Sequence, residues 1–309
     1  MLKKILKSIL GFLGVNISIS KRTPTKTVKK GNTVYLNIGD FTLALPKTHM
    51  LPEYLAIHPY YSMNLGRIAG YIQEFFKNFT IIDVGANIGD SVALIRSAGI
   101  QTKIHCIEGE PEFLKYLEQN IRQFEGIIVH KTYLGDTLAS IDIENINSRE
   151  GTSKIETEAT GISANGLHII PLDQLNADFT GLKLLKIDTD GYDFKILRGA
   201  KETLAKYKPV IFAEYSPRDF VQVDPGYMKV FDMLAALGYD KIIFYDNYGV
   251  LLTVGSTSQI NDITILSEYV LNKKASFPYF DICIFHRDDD ELFSNILKQE
   301  QIFYRINQI

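Results

Sequence analysis

Acids stand in or just after four short apolar runs of this chain, and a glycine loop follows the first. Thr80 to Val84 carries Asp83 and leads into Gly85-Ala86-Asn87-Ile88-Gly89-Asp90. Lys103 to Ile107 ends in Glu108, Leu182 to Ile187 ends in Asp188-Thr189-Asp190, and Pro209 to Ala213 ends in Glu214. Carboxylates so placed can accept hydrogen bonds from hydroxyls, balance a cation or take a proton during a reaction. Gly85 and Gly89 remove side chains where a backbone must turn tightly or admit a ligand.

The elements that must position these groups are strands and the helices after them. Thr80 to Val84 is a β-branched apolar run bounded by turn residues, which predicts a buried strand. A helix is expected from about Asp90-Ser91, where a carboxylate and a hydroxyl can cap free amides. Its Val92, Ala93 and Ile95 then pack back on a sheet. A strand, a glycine loop and a helix form the nucleotide-binding corner of a doubly wound α/β fold. Dinucleotide enzymes carry G-x-G-x-x-G there, so that a pyrophosphate sits on the helix N-terminus. Here Asn87 replaces the second glycine and Asp90 the third. An anionic pyrophosphate would meet a like charge, and a cationic cofactor would not. Glu108, closing the next strand, is placed to accept from ribose hydroxyls. S-adenosylmethionine, with an ammonium, a sulfonium and a ribose, satisfies all of this. Asp83, Gly85, Asn87, Gly89, Asp90 and Glu108 are its candidate contacts.

Ile82-Asp-Val-Gly-Ala-Asn-Ile-Gly89, then Glu108, then Leu185-Lys-Ile-Asp-Thr-Asp-Gly191 with Leu197-Arg-Gly-Ala200, is similar to the FkbM-type S-adenosylmethionine-dependent methyltransferases. The resemblance covers roughly Tyr60 to Tyr215. This chain has Asp190 and Asp193 where family members usually carry Glu, a departure that keeps the charge. The resemblance implies a Rossmann-like class I fold: a doubly wound, mostly parallel sheet with a late antiparallel strand. It implies O-methylation, commonly of glycans or polyketide-type natural products, and a polar contact near the adenine at Asp136.

In a doubly wound sheet the first and fourth strands are neighbours, and ligands bind between their carboxyl ends. Asp188 and Asp190 therefore face the glycine loop, and Glu214 ends the strand beside them. Three readings of the acidic cluster compete: catalysis and orientation, a divalent-metal site built on Asp-x-Asp oxygens, and helix capping. The first makes Asp188, Asp190 and Glu214 the catalytic candidates, with His105, His130 and His168 behind them. A metal fits the composition of the cluster, yet nothing in the methyltransferase reading calls for one. A rival class is a metal-dependent glycosyltransferase using Asp188-Thr189-Asp190, which leaves the Gly85–Gly89 loop unexplained. A second rival is a binding module that keeps the fold without the activity.

The net charge of −3 over 309 residues gives no electrostatic reason to expect nucleic acid. The two cysteines, Cys106 and Cys283, sit in apolar runs and read as reduced, buried thiols, which suits a cytosolic protein. Residues 1–17 place Leu2, Ile5, Leu6, Ile9, Leu10 and Leu13 on one helical face with lysines between them. Two readings stand: a basic helix on the inner membrane face, and a helix packed on the protein or a partner copy. Residues 18–30 read as a basic linker, and residues 33–45 as a β-hairpin around Gly39-Asp40. Tyr54, Tyr60 and Tyr61 either border the cleft or pack the appendage on the core. Residues 141–166 read as a loop or hairpin insertion. The expected organisation is an appendage over residues 1–59, a methyltransferase domain over 60–290, and a C-terminal amphipathic helix over 291–309 that packs on its own body or on a second copy.

Overall fold

The computed structural model describes residues 27–58, 60–141, 146–149, 152–155 and 167–307. The expected helix of residues 1–17 lies outside them, as does part of the insertion. The chain opens with strands β1 (Thr27–Lys30), β2 (Thr33–Ile38) and β3 (Phe41–Pro46), which form an antiparallel sheet in the order β1-β2-β3. The basic linker is thus shorter than its composition suggests. Thr27 to Lys30 pairs with β2 across a turn that begins at Gly31, where φ is +62°. Helices α1 (Leu51–Ile57) and α2 (Met63–Phe75) follow. Pro52 does not break the chain, because it sits in the first turn of α1, where its missing N–H has no partner to lose.

The body then alternates strand and helix. It runs through β4 (Thr80–Val84), α3 (Asp90–Ser97), β5 (Lys103–Glu108), α4 (Pro111–Asn120) and β6 (Ile127–Lys131). The short strands β7 (Tyr133–Leu134), β8 (Ala139–Ile141) and β11 (Leu167–Ile170) form a small sheet of their own. Between the last two lies the antiparallel pair β9 (Ile146–Arg149) and β10 (Thr152–Ile155), in the expected insertion. Next come β12 (Leu182–Ile187), α5 (Asp193–Arg198), α6 (Lys201–Tyr207), β13 (Val210–Tyr215), α7 (Pro217–Val223) and α8 (Lys229–Ala236). The chain closes with β14 (Tyr239–Asp246), β15 (Leu251–Ser256), α9 (Ile260–Leu271), β16 (Phe280–His286) and α10 (Asp290–Asn307).

The central sheet has the order β15-β14-β16-β13-β12-β4-β5-β6. From β6 through β13 all neighbours are parallel, while β16 runs antiparallel to both β13 and β14. This is the doubly wound sheet with a late antiparallel strand that the sequence predicts. Successive residues of its inner strands face opposite layers, as the period of two requires. Ile82 and Leu185 join the core beneath α5 and α8, whereas Ile81 and Leu184 join the core beneath α2, α3 and α10. A third core holds the appendage on the body: Leu36, Leu43, Leu45 and Leu51 pack against Ile88, Ala93, Phe113 and Tyr116.

Strand order reverses between β4 and β12, so the loops after them open a crevice at their carboxyl ends. The C-terminal helix is anchored by a buried two-pronged ion pair, Arg67 Nε and Nη2 each 2.7 Å from a Glu300 oxygen. Among the described residues no helix is long and apolar enough to cross a membrane.

Candidate active site

A pocket enclosing about 610 Å³, part of it open to solvent, lies at this crevice. Its floor is the loop after β4, with Gly85 and Asn87, and the start of the loop after β12, with Asp188, Thr189 and Asp190. Gly85 has φ +71°, and a Cβ there would lie 1.9 Å from the Asp188 carbonyl oxygen, so the two loops can meet only over a glycine. Asn87 and Asp190 are left-handed without being glycine, at φ +47° and +50°. Such backbone is costly for L-residues and concentrates at functional sites.

Glu108 lines one wall. Its Oε2 accepts the Asn87 N–H at 2.8 Å, and its Oε1 accepts those of Gly109 and Glu110, each at 2.8 Å. Burial pushes its carboxyl up, and these donors pull it back. Gly109 is required beside it, because a Cβ there would come within 2.5 Å of the Tyr133 ring. Phe113, Tyr133, Leu134, Tyr192 and Ile196 supply flat and apolar wall.

Asp83 stands one layer beneath the pocket, fully buried. The register puts Lys186 directly across from it, and Lys186 Nζ lies 3.0 Å from Asp83 Oδ1 and 2.9 Å from the Gly85 carbonyl oxygen. Burial alone would lower the Lys186 ammonium, but Asp83, Asp188 and Asp90 outweigh it and raise it. The Ser91 hydroxyl donates to Asp83 Oδ2 instead of capping α3, as its position suggests it would; Gly89 at φ +86° occupies the cap.

Beyond the crevice, toward β16, lies a second group of polar side chains. Glu214 and Asp281 face each other in the β13–β16 register, and Asn64 donates to Asp281 at 3.2 Å. Tyr61, Tyr279 and Asp90 share their electrostatic surroundings. Burial raises every carboxyl in this group: Asp90 to about 6, with the charges of Asp83 and then Asp188 adding to it, and Asp281 to about 7 and Glu214 well above the carboxylate range, with the charge of Asp188 adding to both. Asp193, raised to about 8 by the same causes, accepts from the Thr189 hydroxyl and the Gly191 N–H, both at 3.2 Å. It organises the loop after β12. Asp188, with its side chain half exposed, is 3.8 Å from Lys186.

The structure therefore brings Gly85, Asn87, Glu108, Asp188 and Asp190 together in the pocket lining. Asp83 lies behind it, as does Gly89 at the start of α3, and Asp90 and Glu214 lie to one side. Asp136 lies outside the lining and is ion-paired with Arg198 at 3.1 Å, which also holds Asp224 at 2.8 Å. Of the histidines held in reserve, His105 and His130 pair with each other at 2.9 Å on β5 and β6. Nothing in the sequence singles out Tyr133, Phe113 or His49. His49 lies 3.3 Å from the Asn87 side chain across 38 residues of chain, a contact that no local pattern announces. Among the described residues no group of three His, Cys, Asp or Glu side chains is arranged to hold a metal.

The donor set fits S-adenosylmethionine. Three carboxylates, Glu108, Asp188 and Asp190, line the pocket, Glu108 is oriented by backbone donors, and the buried Lys186 ammonium is turned down to Asp83 and to loop carbonyls. A family model described as the methyltransferase FkbM domain matches residues 83–241. No curated protein matches the chain. Among solved structures, a methyltransferase FkbM from Methylobacillus flagellatus is 18% identical, with a TM-score of 0.39 over 55% of this chain and 43% of that one. The chain thus spans less than half the length of that relative. TYW2 of M. jannaschii, solved in complex with AdoMet, is 12% identical, with a TM-score of 0.40 over 84% of this chain and 89% of that one. TYW2 of P. horikoshii, in complex with MeSAdo, is 11% identical, with a TM-score of 0.41 over 92% and 83%.

Proposed function

The chain belongs to the FkbM family of S-adenosylmethionine-dependent methyltransferases, and from that premise we propose that it methylates a hydroxyl of a glycan or related natural product. When bound, the cofactor supplies a methyl group activated by positive sulfur. The chain's own residues have two tasks: alignment, and removal of the acceptor's proton. Glu108 would hold the ribose hydroxyls, the Phe113, Tyr133 and Ile196 wall the adenine, and the acidic floor the cationic end.

The observation that carries the acceptor reading is the polar group beside the pocket: Glu214 and Asp281 opposed in register, flanked by Tyr61 and Tyr279. Hydroxyls and carboxyls grouped in this way suit an acceptor rich in hydroxyl groups. Burial raises both carboxyls, Asp281 to about 7, so a share of each can carry a proton and donate a hydrogen bond that orients the acceptor. Asp188, half exposed and lining the pocket, is then the base. The two buried free cysteines support a reducing, cytoplasmic setting, and the basic apolar segment 1–17 supports contact with the inner membrane face.

The test is transfer of labelled methyl from S-adenosylmethionine to extracted glycans and to small hydroxylated acceptors. Asp188→Asn should lower kcat by about 10²–10⁴, a much larger effect than its loss of cofactor affinity. Near-normal turnover would remove Asp188 from the role. Cofactor binding with no transfer to any acceptor would favour the binding module.

A further inference from the structure

We propose that His49, on the appendage and outside the matched family region, is a positioning residue that holds the Asn87 side chain in the glycine loop and so sets cofactor affinity. The inference rests on the cofactor reading of the pocket. Two hydrogen bonds settle which ring nitrogen carries the proton. The Leu51 N–H donates to His49 Nδ1 at 3.2 Å, so Nδ1 is the acceptor and Nε2 bears hydrogen. Nε2–H then donates to Asn87 Oδ1 at 3.3 Å, which turns the amide's nitrogen end away from the imidazole. Asn87 has φ +47°, lines the pocket, and sends its own N–H to Glu108. One side chain of the appendage therefore bears on both the loop and, through it, the acid that would bind ribose. The same ring packs at 6.3 Å against Phe113, another lining residue.

A loop residue can position another group only if the loop itself is held. Here the hold is specific. Asn120, buried at the end of α4, donates to the carbonyls of Ala44 and Ile88 and accepts the Ala44 N–H, all at 2.8 Å. It thus fastens β3 to the glycine loop in one step. Gly39 leaves room for Ser97, whose hydroxyl donates to the Ile38 carbonyl at 3.2 Å. The apolar core shared by the appendage and α3 and α4 fixes the rest. Burial pushes the His49 imidazole down to about 4, so the neutral ring with its donor in place persists at ordinary assay pH.

The experiment is calorimetry of S-adenosylhomocysteine and S-adenosylmethionine on the full chain. The variants are His49→Ala, His49→Gln, Asn87→Ala and the double His49→Ala/Asn87→Ala. His49→Ala should weaken binding about tenfold and raise the cofactor KM while leaving kcat near wild type. His49→Gln, whose amide can accept from Leu51 and donate to Asn87, should recover most of the affinity. A merely structural role would not be rescued in this way. In the Asn87→Ala background, His49→Ala should have no further effect. Unchanged affinity in His49→Ala, or the same loss in both backgrounds, overturns the inference. If wild type binds neither ligand, the cofactor reading falls and this inference falls with it. Should His49→Ala not fold, nitrogen-15 spectra of the wild-type ring give the same decision. A ring protonated on Nε2 that shifts on adding S-adenosylhomocysteine supports the positioning role. A ring protonated on Nδ1, or one indifferent to the ligand, overturns it.

Discussion

Replacing Lys186 with Met tests the electrostatic foundation of the pocket. Its ammonium contacts Asp83 at 3.0 Å, the Gly85 carbonyl at 2.9 Å and the Val84 carbonyl at 3.3 Å. Asp83 is 0% exposed, and its remaining side-chain partner is the Ser91 hydroxyl. Methionine keeps much of the volume and removes the charge. The loss is therefore that of breaking a buried pair and leaving a carboxylate uncompensated, about 3–5 kcal/mol. At roughly 2 °C per kcal/mol for a chain of this size, the melting temperature should fall by about 6–10 °C. Asp83→Asn alone should cost a comparable amount, because it strands the ammonium. The double variant should be far less destabilised than the sum of the two. Urea unfolding of the four proteins gives the coupling energy directly. Additive losses, with coupling below about 0.5 kcal/mol, would refute the claim that register places these two charges as one unit.

Three further outcomes follow from the same geometry. The carboxyls of Asp90, Asp281, Asp193 and Glu214 are all raised, so the folded protein binds protons that the unfolded chain has released. Their contribution is full below the unfolded carboxylate pKa and is lost as pH rises through the folded values. The cofactor-free melting temperature should therefore decline between about pH 5 and 8, with a shallower decline in Asp281→Asn; a flat profile in wild type would contradict this. Gly85→Ala would put a Cβ 1.9 Å from the Asp188 carbonyl on a backbone of positive φ; thermal shift with S-adenosylhomocysteine should show binding weakened more than tenfold, roughly 1.4 kcal/mol or more. Arg67→Met should strand the fully buried Glu300 and cost about 3–5 kcal/mol in urea unfolding, loosening α10 first, which amide exchange of its residues would detect.

The elements most legible in the sequence are those whose environment is uniform along their length. β4 and β12 are buried almost throughout, so apolar runs interrupted only by Thr80 and Asp83 in the one and Lys183 and Lys186 in the other announce them. α9 shows the opposite case. It is rich in β-branched residues, buries Ile263, Ser267 and Val270, and leaves Ile265, Tyr269 and Leu271 exposed, so no clean helical stripe marks it. α1 hides behind Pro52, and β1 behind two lysines, because each owes its form to a neighbour and not to its own composition. Asp136 shows how a motif position takes its neighbours from distant chain. The loop after β7 gives it to Arg198, a partner 62 residues away.

By itself the amino-acid sequence determined the strand–loop–helix corner, the acids at the strand ends and the sign of the charge a ligand there must carry. Those follow from local steric freedom at glycine, from periodicity and from residue chemistry, all of which act over a few residues. Only the tertiary structure decided which acids burial raises, that Asp83 stands behind the pocket, and that the appendage reaches Asn87 through His49. Burial and contacts between distant segments set those properties, and both arise only when the sheet, its helices and the N-terminal strands have packed together.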